Sequence, residues 1–179
     1  MSLRQLWRRN REEARLRRQL RSTLRRAGIA EPTDMLEVCE RLSAIWPVPI
    51  VAAPFDLPAH GPFGLTIRYA PEPRDEAIYI LYQRVATPLH QQHVVAHELG
   101  HVLGGHPLDP VNDLSEIDPN GSTGTLRRTS YNSRVEREAE TIATVLLGRA
   151  AARDGVTLPS NDARDHRLRR ALGDKVEWL

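Results

Sequence analysis

Apolar residues recur at helical spacing in four stretches of the chain, and three shorter stretches between them have the composition of strands. Within 10–27, Leu16, Leu20 and Leu24 form a thin apolar stripe, and Gly28 follows as a helix end. The spacing therefore predicts a first helix whose other faces are polar.

A second helix is predicted after Thr33 or Asp34, either of which can serve as its N-cap. Cys39 lies beside its apolar face and is expected to pack in the core, and Pro47 stops the helix. The apolar face repeats at i, i+3, i+7 and i+10: Met35, Val38, Leu42 and Ile45.

Three extended segments follow, separated by Pro and Gly. They cover 48–55, 63–70 and 77–83, and the stretch 70–76 (APEPRDE) has the composition of a hairpin turn. Consecutive short strands joined in this way predict a small antiparallel sheet.

The third helix is predicted over 87–104, with Thr87 as N-cap and Pro88 at its first position. Gly104 belongs to a glycine pair that ends it. The next stretch, 106–130, is rich in Pro, Asp, Asn, Gly and Ser and is long for a connection, which indicates a functional flap or a disordered loop.

A fourth helix is predicted over about 133–153, with Ser133 as a possible N-cap. Helices, a run of strands and further helices in this order predict an α+β fold. We expect an Arg-rich helical arm over 1–30, one main domain over 31–155, and a tail over 156–179 that forms at most a short helix.

Composition narrows the class of protein. The 179 residues are 40% hydrophobic but only 5% aromatic, and no apolar run approaches the roughly 18–20 residues that span a bilayer. The N-terminus has arginines without an apolar stretch behind them, so no secretory signal is expected and a cytoplasmic location is predicted. Cys39, the single cysteine, excludes an intramolecular disulfide and a cysteine-based metal cluster.

Charge is distributed unevenly along the chain. Residues 1–28 contain ten arginines against Glu12 and Glu13, a local charge of +8. Because the net charge of the chain is +2, the other residues together carry −6. Such an arm can bind nucleic acid or an acidic partner. Because Trp7 is its only aromatic residue and Lys175 is the chain's only lysine, a solvated Arg-rich helix is the favoured interpretation.

The stretch HVVAHELGHVLGGH (93–106) carries the chemistry. His97, Glu98 and His101 form an HExxH motif on the predicted third helix, where two histidines one turn apart can bind one Zn²⁺. Glu98 is then placed to take a proton from a metal-bound water as general base. Apolar residues on either side of the motif would bury this helix: Val94, Val95, Ala96, Leu99, Val102 and Leu103.

The third ligand must come from elsewhere in the chain. The metzincin pattern HExxHxxGxxH fails, because His106 comes one position too early and no methionine follows Met35 to form a Met-turn. The fourth helix offers glutamates instead: Glu136 and Glu140 share a face, so one can bind metal while the other orients a ligand histidine. Glu138 points roughly the opposite way and is expected to be solvated.

The motif HELGH followed by EREAE-x-x-A resembles the ImmA/IrrE-type metallopeptidases, whose second motif is E-x-E-A-(N/D)-x-F-A. The resemblance covers roughly 35–150 and is closest to small actinobacterial members. It implies a zincin-like domain in which Glu136 is the third zinc ligand and Glu140 takes the Asn/Asp position. Ile142 stands where the family commonly has Phe, a departure from the pattern like that at Glu140.

Four other side chains are weighed for the site. His93 lies on the same helical face as His97, so it is either a structural histidine or a second-shell or substrate-facing residue. Tyr131 is either a packing residue or a donor to a developing oxyanion. His90 and His106 are expected at the surface or rim.

These observations predict a zinc-dependent endopeptidase, with Mn²⁺ or Fe²⁺ as less favoured metals. What the resemblance implies further is a specific cytoplasmic protein substrate, often a helix-turn-helix transcriptional repressor. The alternative is a non-catalytic zinc-binding regulatory or toxin-like module that acts through partner or nucleic-acid binding.

Overall fold

The computed structural model has α+β architecture, which confirms the predicted class. The structure describes residues 3–32, 34–57, 62–71, 76–112 and 133–154. The elements follow the order α1 (Leu3–Arg26), α2 (Met35–Ser43), β1 (Ile50–Phe55), β2 (Gly64–Tyr69), β3 (Ala77–Gln83), α3 (Pro88–Gly104), β4 (Asp109–Val111) and α4 (Ser133–Asp154). Among these residues, no helix combines the length and apolarity needed to cross a membrane.

The sheet is mixed, and the prediction of a purely antiparallel sheet is wrong. Its strand order is β1-β3-β2-β4. β2 and β3 pair antiparallel, as the predicted turn between them requires, whereas β1 pairs parallel with β3 and β4 pairs parallel with β2. The physical reason is that β1, β2 and β3 alternate in direction along the chain, so β1 and β3 run the same way. Because β3 lies between β1 and β2 in the sheet, it pairs parallel with β1.

The first part of the predicted flap belongs to the sheet. Asp109–Val111 form β4 against β2, with Ile67 paired to Asp109 and Tyr69 to Val111. A three-residue strand is too short to show a period of two, and Pro110 within it is tolerated because β4 is an edge strand. The remainder of 106–130, from residue 113 onward, lies outside the described residues.

The helix ends follow the predicted capping chemistry. The Asp34 side chain caps α2 by accepting a hydrogen bond from Leu36 N, and Thr33 lies outside the described residues. Thr87 caps α3 by accepting from His90 N, and Gly105 ends this helix at φ 66° in the left-handed region. Ile45 lies beyond the end of α2 and is 42% exposed, which corrects its predicted place on the buried face.

One apolar core joins every helix to the sheet. Cys39 is buried in it, as predicted, and its burial raises the pKa of the thiol to about 12. Leu20 and Leu24 of α1 also belong to it, so the C-terminal half of the basic arm packs into the fold, while α1 begins earlier than predicted. Residues of the last two helices complete the core: Val94, Val95, Ala96, Leu99, Val102, Ile142, Ala143 and Leu146.

The backbones of α3 and α4 approach closely at Gly100. A Cβ atom at this position would lie 2.6 Å from the carbonyl oxygen of Ala139 and 2.9 Å from its Cα. Both neighbours are backbone atoms of a packed helix, so a side chain at position 100 would push the two helices apart. The contact therefore sets the distance between the two helices that carry the candidate metal ligands.

We expect Gly100→Ala to lower the free energy of unfolding by about 1–3 kcal/mol, because overpacking outweighs the higher helix propensity of Ala. The matched control is Gly148→Ala in α4, where a Cβ would meet nothing within 4 Å. That variant should gain up to about 1 kcal/mol from propensity alone. Urea unfolding followed by circular dichroism measures both, and a Gly100→Ala protein as stable as wild type would contradict the close contact.

Candidate metal centre

α3 presents the two histidines of the HExxH motif toward α4. His101 is 2% exposed, and the His97 side chain is 27% exposed. The helix is held in this orientation by buried apolar residues on both sides of the motif, among them Val95 and Val102. The motif thus lies partly within the core rather than on a solvated surface.

Glu136 of α4 completes a cluster of three ligand atoms. His97 Nε2 lies 3.3 Å from His101 Nε2 and 3.4 Å from Glu136 Oε2, and the three ligand atoms all lie within 4.8 Å of one another. Zinc bonds to nitrogen and oxygen of about 2.0–2.1 Å place tetrahedral ligands about 3.3–3.4 Å apart. Two nitrogens and one carboxylate oxygen at this spacing are compatible with a metal site.

Burial prepares His101 for metal binding. Removal from water, followed by the neighbouring His97 and His106 rings, lowers the pKa of His101 to about 4. The imidazole is therefore neutral at pH 7, and one ring nitrogen keeps a lone pair for a metal. A ligand histidine must be in this state, because a protonated imidazole cannot coordinate.

Glu98 is held against the sheet rather than in the ligand cluster. Its Oε2 accepts a hydrogen bond of 2.6 Å from the Thr66 hydroxyl on β2. The strand comes so close that a Cβ at Gly64 would lie 2.8 Å from both Cγ and Oε1 of Glu98. Loss of hydration raises the pKa of Glu98, and Glu136 raises it further, against the opposing effects of Thr66 and His97.

Glu140, which was predicted to orient a ligand histidine, contacts the candidate ligand His97. Its Oε2 lies 3.3 Å from His97 Nδ1, the ring nitrogen that does not face the cluster, and its Oε1 lies 3.9 Å from His93 Nε2. A carboxylate in this place fixes the tautomer of the histidine and orients its ring. His93 is therefore adjacent to the site through Glu140. Tyr131 lies outside the described residues.

The prediction that His106 lies at the surface or rim is wrong. Its side chain is 6% exposed, and its Nδ1 lies 3.1 Å from His101 Nδ1. The left-handed Gly105 turns the chain back after α3, and Gly104 leaves room for the ring, because a Cβ there would lie 2.7 Å from His106 Nε2. His90 is exposed, in agreement with the prediction.

The prediction that Glu138 is merely solvated is also wrong. Its Oε2 lies 3.8 Å from His106 Nε2, and its side chain is 35% exposed. Successive helix residues turn by about 100°, so Glu136 and Glu138 lie on opposite flanks of the buried stripe of α4. The chain that folds back after α3 reaches the second flank, which spacing along α4 alone does not reveal.

No protein-family model, curated protein or solved structure matches the chain. The metal centre is therefore interpreted from its geometry, and the family resemblance rests on the two motifs. Sequence reasoning missed two polar side chains that contact it, Thr66 and His106. A hydroxyl residue in a strand gives no signal of its own, whereas a histidine directly after the Gly104–Gly105 pair suggests a chain that folds back.

We expect purified wild-type protein to bind close to one metal ion per chain. Glu136→Gln should weaken zinc binding by more than about 100-fold, the upper end of the effect of losing an outer-shell partner. The control is Glu37→Gln, which removes the same charge from an exposed ion pair with Arg41 on α2. Elemental analysis with chelator competition measures both, and equal zinc content in both variants would contradict the ligand set.

Proposed function

We propose that this chain is a zinc-dependent endopeptidase of the ImmA/IrrE type with a zincin-like domain. The observation that carries the proposal is the cluster of His97, His101 and Glu136, whose ligand atoms lie within 4.8 Å of one another, beside the anchored carboxylate of Glu98. Three protein ligands from the described residues leave a fourth position for water or substrate, as in catalytic zinc sites rather than structural ones.

Zinc is the metal that this ligand set favours. Two imidazole nitrogens and one carboxylate match the His₂Glu sites of zinc peptidases, while Mg²⁺ and Ca²⁺ prefer oxygen ligands alone. The single cysteine, Cys39, lies on the buried face of α2 and offers no competing thiolate ligand. When bound, zinc would supply a Lewis acid that polarises a carbonyl and lowers the pKa of a coordinated water.

Glu98 is the residue that moves the proton. The Thr66 hydroxyl donates to its Oε2 and fixes the side chain, and the carboxylate would take a proton from the attacking water and return it to the leaving amine. A pKa raised by burial suits both steps, because the protonated acid is then stable enough to persist until the amine departs. Thr66 fixes the position of the carboxylate beside β2.

The sheet offers a place for an extended substrate. β4 pairs with β2 only over Ile67–Tyr69, so the start of β2 at Gly64 extends beyond it, at the position where the strand touches Glu98. A peptide added as a further strand there would pass the reactive carboxylate. We propose a protein substrate with an accessible extended segment, and the family resemblance makes a helix-turn-helix repressor the first candidate.

Glu98→Gln should lower the rate of peptide cleavage by about 10²–10⁴-fold, the usual contribution of a general acid–base, while zinc content stays at the wild-type level. Mass spectrometry of a proteome-derived peptide library incubated with zinc-loaded protein measures the activity. Cleavage that persists in the variant would contradict the role of Glu98. A zinc-loaded wild type that binds a partner and cleaves nothing would instead favour the non-catalytic regulatory module.

Thr66→Val should lower the cleavage rate by about 10–100-fold, since a hydrogen bond to a charged group contributes about 1.5–3 kcal/mol. The matched control is Thr66→Ser, which keeps the hydroxyl and should retain most of the activity. The two variants are compared by the same peptide assay at saturating zinc. Equal rates for the two would show that the hydroxyl does not hold Glu98.

A further inference from the structure

We infer that His106 and Glu138 are positioning residues for the metal ligand His101, through a relay that runs from His101 to His106 to the Glu138 carboxylate. The inference rests on the metal-binding part of the proposed function and does not depend on proteolysis. It assigns a purpose to the two polar side chains that lie on the far side of His101 from Glu136.

The ring geometry determines which nitrogen of each histidine donates a hydrogen bond and which accepts one. His101 Nε2 faces His97 Nε2 at 3.3 Å, so the opposite nitrogen, Nδ1, is the one that lies 3.1 Å from His106 Nδ1. A histidine that binds metal through Nε2 carries its proton on Nδ1 and donates it outward. His106 Nδ1 must then be the acceptor, which places the proton of His106 on its Nε2.

Glu138 stands where that proton points. Its Oε2 lies 3.8 Å from His106 Nε2, longer than a hydrogen bond but close enough for its charge to favour a proton on that nitrogen. A carboxylate there favours the tautomer of His106 in which Nε2 is protonated and Nδ1 is free to accept from His101. The order of donors and acceptors is thus consistent along the relay, and it ends at a carboxylate.

Burial explains the use of an imidazole at this place. His101 is 2% exposed and the His106 side chain 6%, whereas the Glu138 side chain is 35% exposed. A carboxylate in direct contact with His101 would have to be buried with its charge, which is costly. An imidazole ring accepts the same hydrogen bond, and the carboxylate can then lie farther out, at the more exposed Glu138.

The second ligand is held in a different way. His97 Nδ1 meets the Glu140 carboxylate directly, and these side chains are 27% and 52% exposed. Direct contact with a carboxylate has a small desolvation cost where water still reaches the charged group. The two ligand histidines therefore have separate outer partners, a carboxylate at the open side of the cluster and a histidine at its buried side.

The test uses three substitutions and a double-mutant cycle. His106→Asn keeps an acceptor near the position of Nδ1, and His106→Leu fills the space without one. Glu138→Gln removes the charge at the end of the relay. The control is His90→Leu, which removes an exposed histidine from α3, the helix that carries His101. Chelator competition gives the zinc affinity of each full-length protein, and Co²⁺ absorption spectra report ligand geometry.

We expect His106→Leu to weaken zinc binding by about 10–100-fold and to change the Co²⁺ spectrum, because His101 loses the acceptor that orients it. His106→Asn should recover most of the affinity. Glu138→Gln should weaken binding in the wild-type background and have no further effect in the His106→Leu background, which is the signature of one coupled unit. His90→Leu should match wild type.

Wild-type zinc affinity in both His106→Leu and Glu138→Gln would overturn the relay while leaving the metal centre intact. Additive effects of the two substitutions would also overturn it. If His106→Leu fails to fold, Glu138→Gln and His106→Asn still test the relay. Unchanged zinc affinity in Glu138→Gln together with lost affinity in His106→Asn would contradict the inference. Absence of zinc from the wild type would remove the proposed function itself, a result distinguishable from all of these.

Discussion

The close packing of α3 on α4 at Gly100 and Ala139 is the contact on which the rest of the structure depends. Because no side chain separates the backbones there, a glutamate on one helix can come within 3.4 Å of a histidine on the other. Apolar residues on both sides of the contact keep the spacing fixed. A ligand cluster built from two helices tolerates little displacement, so steric fit at one glycine controls the chemistry several residues away.

The polar groups around this contact are arranged by exposure. Two carboxylates, Glu136 and Glu140, lie on the open side of the cluster, where their side chains are about half exposed. On the buried side lie two imidazoles: His101, whose pKa is lowered to about 4, and His106 in contact with it. Glu98 is the exception, a carboxylate with raised pKa that is anchored by Thr66. This poorly hydrated acid is the one that we propose exchanges a proton.

Local signals predicted α3 and its caps, because a Thr-Pro start, a glycine end and apolar flanks act over a few residues. The candidate ligands on α3 follow from the same helix geometry. The sheet order was not predictable, since the pairing of β1 with β3 depends on contacts between segments distant in sequence. His106 and Thr66 escaped prediction for a related reason: one reaches the site through a left-handed turn, and the other from a strand that carries no motif. Glu136 was assigned through family resemblance, not from spacing alone.

The position of α4 has a consequence for the life of the protein in a cell. The helix is separated from β4 by residues 112–132, so a metal bound as proposed would bridge α3 and α4, two parts of the chain that no short loop connects. Ligands that bind only the folded state stabilise it in proportion to their concentration. Zinc scarcity would then shorten the half-life of the protein by exposing the face of α4 to degradation, and abundance would follow the metal supply without a dedicated sensor.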